Sequence, residues 1–218
     1  MTDPTNLALS GLDRLSELKD RLLSWASPER SYIADALRVA ALKSGDRFLD
    51  VGCGSGELLA AAATREPGAL LYGVDPDEDA LELASRKIFG TLRPVELHQA
   101  VAEALPFESD FFDVVAATLL LQGMPVSLRH EVLAECRRVL RPGGRLIVAD
   151  WIGEPEGLHA LLAYPTDLVR RYVFSQRRPM NVVESLKACG FFPPELRGTF
   201  STVLGTIELH EAYKPLHG

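Results

Sequence analysis

The chain has 218 residues, 47% of them hydrophobic and 24% charged, with a formal net charge of -7. These values describe an ordinary globular domain that buries roughly 70% of its unfolded surface without disulfide or metal staples. The acidity argues against a nucleic-acid partner, which would be repelled. Cys53, Cys136 and Cys189 are scattered and odd in number, so neither a disulfide framework nor a metal site is expected, and a reducing, cytoplasmic setting is. No stretch reads as a signal peptide or as a membrane span.

Taken in chain order, residues 1–28 are expected to form a helical cap or lid. Leu12, Leu15, Leu18, Leu22 and Trp25 recur every three or four residues among charges. Ser27-Pro28 starts a second helix, expected over Glu29–Leu42 and broken at Ser44-Gly45. Strand-length apolar runs then alternate with helical patterns. Strands are expected at Arg47–Val51, Leu70–Val74, Val95–Gln99, Asp113–Ala117 and Arg145–Asp150. Helices are expected at Leu58–Thr64, Asp77–Phe89 and Ser127–Leu140, the second with Ala80, Leu81, Leu83, Ala84 and Ile88 inward. Such alternation argues for a Rossmann-like, doubly wound sheet, mostly parallel and covered on both faces. Leu158–Phe174 and Val182–Cys189 read as helices. Glu195–Ser201 and Gly205–Ala212 stand too close for an intervening helix and should pair as a C-terminal antiparallel hairpin, completing seven strands.

The first strand runs into Gly52-Cys53-Gly54-Ser55-Gly56. Glycines there permit positive φ and close approach of a ligand at the carboxyl end of the sheet. The spacing is GxGxG, and Glu57 follows, whereas a dinucleotide site has GxGxxG. Glu57 and Asp50 disfavour a pyrophosphate and favour a ligand with cationic groups. Asp75 closes the second strand, where a carboxylate can accept ribose hydroxyls. A nicotinamide oxidoreductase is therefore disfavoured.

Four blocks in order resemble the class I S-adenosylmethionine (SAM)-dependent methyltransferases, in particular the branch with small-molecule acceptors. They are Phe48–Gly56, Gly73-Val74-Asp75, Ala102–Phe107 with Phe112–Val115, and Arg138–Leu146. The resemblance covers residues 29–218 as one methyltransferase domain. It implies methyl transfer by in-line displacement, with SAM as cofactor and S-adenosylhomocysteine as product. Gly52, Gly54 and Gly56 would shape the methionine pocket, and Asp50 would act on the ammonium. Asp75 would hold the ribose and Pro76 would lie against the adenine. Ala102 and Glu103 would meet the adenine edge, and Leu119 would border the methionine. Two departures stand out. Val101 occupies the place of a frequent adenine-binding acid, and Leu120–Met124 lacks the histidine many relatives carry. These alone support an alternative, a non-catalytic regulatory or scaffold protein.

The acceptor site is expected around residues 151–180, with Trp25, Tyr32, Trp151, Tyr164 and Tyr172 as wall candidates, each more readily explained as core. Arg170, Arg171, Arg177 and Arg178 read as a solvated helix end before they read as an anion site. The only candidates for a catalytic group are His159, which follows strand five, and Tyr164. The acceptor is a small molecule, and the assembly a monomer or homodimer.

Overall fold

The computed structural model describes residues 29–91, 94–153, 181–202 and 205–216. In chain order the elements are α1 (Glu29–Ala40), β1 (Arg47–Val51), α2 (Glu57–Arg65), β2 (Leu70–Asp75), α3 (Glu78–Lys87), β3 (Glu96–Gln99) and β4 (Phe112–Thr118). A 3-10 turn at Leu121–Gly123, α4 (Val126–Val139), β5 (Leu140–Gly153), α5 (Val182–Ala188), β6 (Glu195–Thr202) and β7 (Gly205–Tyr213) follow. The helices expected at 1–28 and 158–174, with Trp25, His159, Tyr164, Tyr172 and the four arginines, lie outside the described residues.

One seven-stranded sheet runs in the order β3-β2-β1-β4-β5-β7-β6. The first five strands are parallel, and the C-terminal hairpin adds β7 antiparallel to β5 with β6 at the edge. The expected doubly wound sheet with its terminal hairpin is therefore what the chain forms.

Alternation along the strands explains why both faces are covered. Leu49, Val51, Val115, Leu146 and Val148 point to one face, with Val132, Leu133 and Cys136 of α4 and Leu186 of α5. Phe48, Leu71, Val114, Ala116, Ile147 and Ala149 point to the other, with Ala36 and Leu37 of α1 and Leu59 and Ala62 of α2. A one-residue slip would exchange the two sets, so burial fixes the register. Tyr32 and Trp151, weighed as acceptor walls, are buried in this second layer. Core packing is their observed role.

Two expectations fail locally. Leu83, expected inward, is 49% exposed, because only Ala84 and Ile88 of that helix are buried. The fifth strand starts at Leu140 rather than Arg145, since Leu140 pairs with Phe112 before a register shift and the Arg145↔Val114 pairing.

The connection from β3 to β4 is held by a clasp on α4. Glu135 Oε2 accepts from the Leu105 N–H at 2.9 Å and from Arg138 Nη2 at 2.7 Å. Arg138 donates to the carbonyls of Phe107 (2.7 Å) and Leu105 (3.0 Å). The Arg138 guanidinium holds the Glu135 carboxyl below the ordinary carboxylate range. Phe107 then packs edge-on against Tyr72 and Phe112. Arg138→Ala removes both carbonyl donors. Because the guanidinium is one-third exposed, the expected loss is only about 1–2 kcal/mol in denaturant unfolding. An unchanged midpoint would show that the aromatic packing suffices to hold the loop.

Candidate active site

The strand order reverses between β1 and β4, and the loops after β1, β2, β3 and β4 emerge at the same carboxyl edge. Such a switch point is where open α/β sheets hold ligands. Every cofactor residue expected from sequence is carried there.

Each glycine of the first loop has its own reason. Gly52, Gly54 and Gly56 all adopt positive φ, at 71°, 48° and 76°. A Cβ at Gly52 would stand 2.8 Å from Leu120 of the β4 loop, whereas one at Gly54 would meet nothing within 4 Å. Gly54 therefore leaves open space above the loop. Gly56 does something else: a Cβ there would stand 2.8 Å from Cβ and 3.1 Å from Cα of Ala84. It lets α2 and α3 touch, a packing role beside the expected one in shaping the pocket.

The loop is tied to the second strand. The Gly52 and Cys53 N–H groups donate to the Val74 carbonyl at 2.8 and 3.0 Å. The Gly54 N–H donates to Asp75 Oδ2 at 2.8 Å, and the Asp77 N–H to Asp75 Oδ1 at 3.0 Å. Asp75 thus organises the glycine loop, and each of its oxygens keeps acceptor capacity for a further donor. The Pro76 carbonyl accepts from Gln99 Nε2 at 3.2 Å, which fixes the turn beyond Asp75.

Asp50 is 1% exposed, and its Oδ1 has no hydrogen-bond partner. Burial, and secondarily the charge of Asp75, raises its pKa to about 8. A buried carboxylate oxygen without a donor is costly and rarely left so, which marks a place for a donor, preferably a cation. Glu57, read as an exposed charge repelling phosphate, is instead ion-paired with Lys87 of α3. The argument against a pyrophosphate therefore rests on spacing and Asp50 rather than on Glu57.

In the loop after β3, Ala102 is buried and no described residue accepts from its N–H. Glu103 is half-buried beside it, and Val101 is 43% exposed. Leu119 closes β4 at φ 53°, unusual for leucine, its N–H donating to the Ala149 carbonyl at 2.8 Å. Strain of that kind collects at functional loops.

Sequence reasoning passed over Asp150. Its Oδ2 accepts from the Leu121 (2.6 Å) and Gln122 (3.2 Å) N–H groups, and its Oδ1 from the Trp151 N–H (2.8 Å). It fixes the turn after β4. The available signal was a carboxylate closing an otherwise apolar strand. Among the described residues no group of three or more His, Cys, Asp or Glu could hold a metal ion.

A family model described as a methyltransferase domain matches residues 49–148, which span the loops just described. The chain is 34% identical over 146 residues to a demethylmenaquinone methyltransferase of Thermus thermophilus, covering 67% of this chain and 65% of that one. It is 34% identical over 179 residues to a 27-O-demethylrifamycin SV methyltransferase of Amycolatopsis mediterranei, covering 73% and 65%. The chain thus spans just under two thirds of the length of these curated relatives. The fold matches a SAM-dependent methyltransferase structure from Methanosarcina mazei with a TM-score of 0.62 at 21% identity, over 83% of this chain and 98% of that one. The matched domain, the sheet order and the glycine loop seated on Asp75 agree, and the chain belongs to the class I SAM-dependent methyltransferases.

Proposed function

We propose that this protein transfers the methyl group of SAM to a small-molecule acceptor by in-line displacement, releasing S-adenosylhomocysteine. The observation that carries the reading is the orphaned Asp50 carboxylate beside a glycine loop that is itself seated on Asp75. These residues fit the cofactor: Asp50 would face an ammonium, Gly54 leaves open space for the methionine part while Gly52 admits Leu120 beside it, and Asp75 would take the ribose hydroxyls. Pro76, Ala102 and Glu103 would hold the adenine, and Leu119 would border the methionine. Bound SAM supplies an already activated methyl group. The protein contributes orientation, worth on the order of 7–11 kcal/mol, and exclusion of water.

The relatives named above act, by their names, on a quinone precursor and an antibiotic, which supports a small organic acceptor here. The reading places the enzyme in the cytoplasm, as a monomer or homodimer, without a nucleic-acid partner. Three free cysteines and the net charge of -7 support that, and no helix among the described residues is long and apolar enough to cross a membrane. Residues 1–28 serve as the lid and residues 151–180 as the acceptor side. Incubation with methyl-labelled SAM and a mixed acceptor pool tests the reading. Label should move into a small organic product, and its complete retention in SAM with every acceptor would contradict it.

Asp50 gives a pH signature. In the unfolded chain its carboxyl ionises near 3.8, and in the folded chain near 8. Between those values the folded state holds a proton that the unfolded state has lost. This group's contribution to stability therefore falls as pH rises through that window and is fully lost above about 8. Asp50→Asn should accordingly raise the cofactor-free protein's thermal midpoint at pH 8.5 and leave it little changed at pH 4. An ammonium arriving at Asp50 favours the ionised form, so binding S-adenosylhomocysteine at pH 7 should release close to one proton. Titration calorimetry in buffers of different ionisation enthalpy reads this directly. Equal release by wild type and Asp50→Asn would remove Asp50 from the site.

A further inference from the structure

The sheet order puts β4 between β1 and β5, so the turn that follows β4 has the glycine loop on one flank and the end of β5 on the other. It is held on both. On the β5 flank, the Leu119 N–H donates to the Ala149 carbonyl at 2.8 Å. The Leu121 and Gln122 N–H groups donate to Asp150 Oδ2 at 2.6 and 3.2 Å. On the β1 flank, Leu120 lies against Gly52: a Cβ added to that glycine would stand 2.8 Å from Leu120 Cδ1 and 3.4 Å from its Cγ. Asp150 is fully buried, and its Oδ1 accepts from the Trp151 N–H at 2.8 Å.

The turn is held under strain. Leu119 sits at φ 53°, a region leucine rarely enters. Such a conformation persists only where its surroundings over-determine it. Here three N–H groups of the turn are bonded to Ala149 and Asp150 of β5. An ionised carboxylate suits this task, because it accepts on two oxygens and donates nothing. Asparagine has the same shape, but its amino group would face at least one of the three N–H groups that now meet Asp150. The turn should then relax and Leu120 should draw away from Gly52.

We propose that Asp150 is a positioning residue for the cofactor, one that acts through Leu120 rather than by contact. By pinning the turn it keeps Leu120 on Gly52, and so sets how firmly the glycine loop holds the amino-acid half of the ligand. This rests on the methyltransferase reading and deepens it. The other oxygen of the same carboxylate fixes Trp151, so one buried group links the cofactor loop to the start of the segment 151–180.

The test separates the two halves of the ligand. S-adenosylhomocysteine carries both, and 5′-methylthioadenosine carries the adenosine half without the amino acid. In calorimetric titration of the folded protein, Asp150→Asn should weaken S-adenosylhomocysteine binding about tenfold and 5′-methylthioadenosine binding less than about twofold. Leu120→Ala should do the same. The double variant should lose about tenfold rather than the roughly hundredfold of independent sites, because both changes act through one contact. That cycle decides alone if the nucleoside binds too weakly to titrate. Asp150→Glu keeps the charge but displaces the oxygens. It should show the pattern more weakly, and it remains informative if Asp150→Asn fails to fold. Equal losses on the two ligands would mark a merely structural aspartate, and a roughly hundredfold loss in the double variant would exclude Leu120 as the route. Either result, or unchanged affinity in Asp150→Asn, would overturn the proposal and leave the methyltransferase reading standing. Absence of S-adenosylhomocysteine binding in wild type would remove both.

Discussion

Asp75→Ala should weaken S-adenosylhomocysteine binding by about 100-fold or more. The carboxylate accepts from Gly54 at 2.8 Å and from Asp77 at 3.0 Å, so it seats the glycine loop before any ligand arrives. Charge-assisted bonds of this kind contribute roughly 1.5–3 kcal/mol each. Losing the pair, together with the proposed ribose contact, removes at least about 3 kcal/mol, and every 1.4 kcal/mol is about tenfold in affinity. Asp75→Asn keeps the shape and one acceptor oxygen, and should cost about tenfold. It also removes the neighbouring charge that helps push the Asp50 pKa up, so fewer protons should be released on binding. Calorimetric titration reads affinity and proton release together. Unchanged affinity in the alanine variant would contradict the role given to Asp75.

The largest stability effect is expected at Gly56. Its φ of 76° is strained for any residue with a Cβ, and that Cβ would stand 2.8 Å from Ala84 Cβ. The backbone term is about 1–2 kcal/mol and the overpacking term about 1–3 kcal/mol. Gly56→Val should therefore destabilise by about 3 kcal/mol or more. For a chain of this size that lowers the thermal midpoint by about 6–12 °C. In Gly56→Ala, adding Ala84→Gly should recover the packing part but not the backbone part. A double-mutant cycle with no coupling would show that the two helices do not meet there.

These two positions also mark what was readable in the sequence. The strands were legible because β-branched and aliphatic runs such as Leu70–Val74 and Val114-Val115 are too short for helices and alternate with amphipathic segments. Asp75 stood out as a carboxylate closing an apolar strand, and the structure shows it seating the glycine loop. Gly56 was assigned to the right loop, but its packing task was not readable, since its partner Ala84 lies in another helix and nothing local announces the contact. Glu57 misled for the same reason: Lys87, which pairs with it, arrives from the far end of α3. Leu83 shows the limit of periodicity, because a short helix on a narrow sheet edge buries only Ala84 and Ile88. Asp150 sits on a strand distant in sequence from the turn it holds, so its task became visible only with the fold. His159, chosen for its position after the fifth strand, and Tyr164 lie outside the described residues.

The central claim is that the pocket at the ends of β1 and β2 holds SAM rather than a dinucleotide. The most direct measurement is a pair of calorimetric titrations of the whole chain, one with S-adenosylhomocysteine and one with NADH. The account predicts saturable one-to-one binding of S-adenosylhomocysteine, lost in Asp75→Ala, and no binding of NADH. Tight NADH binding with no response to millimolar S-adenosylhomocysteine would contradict it.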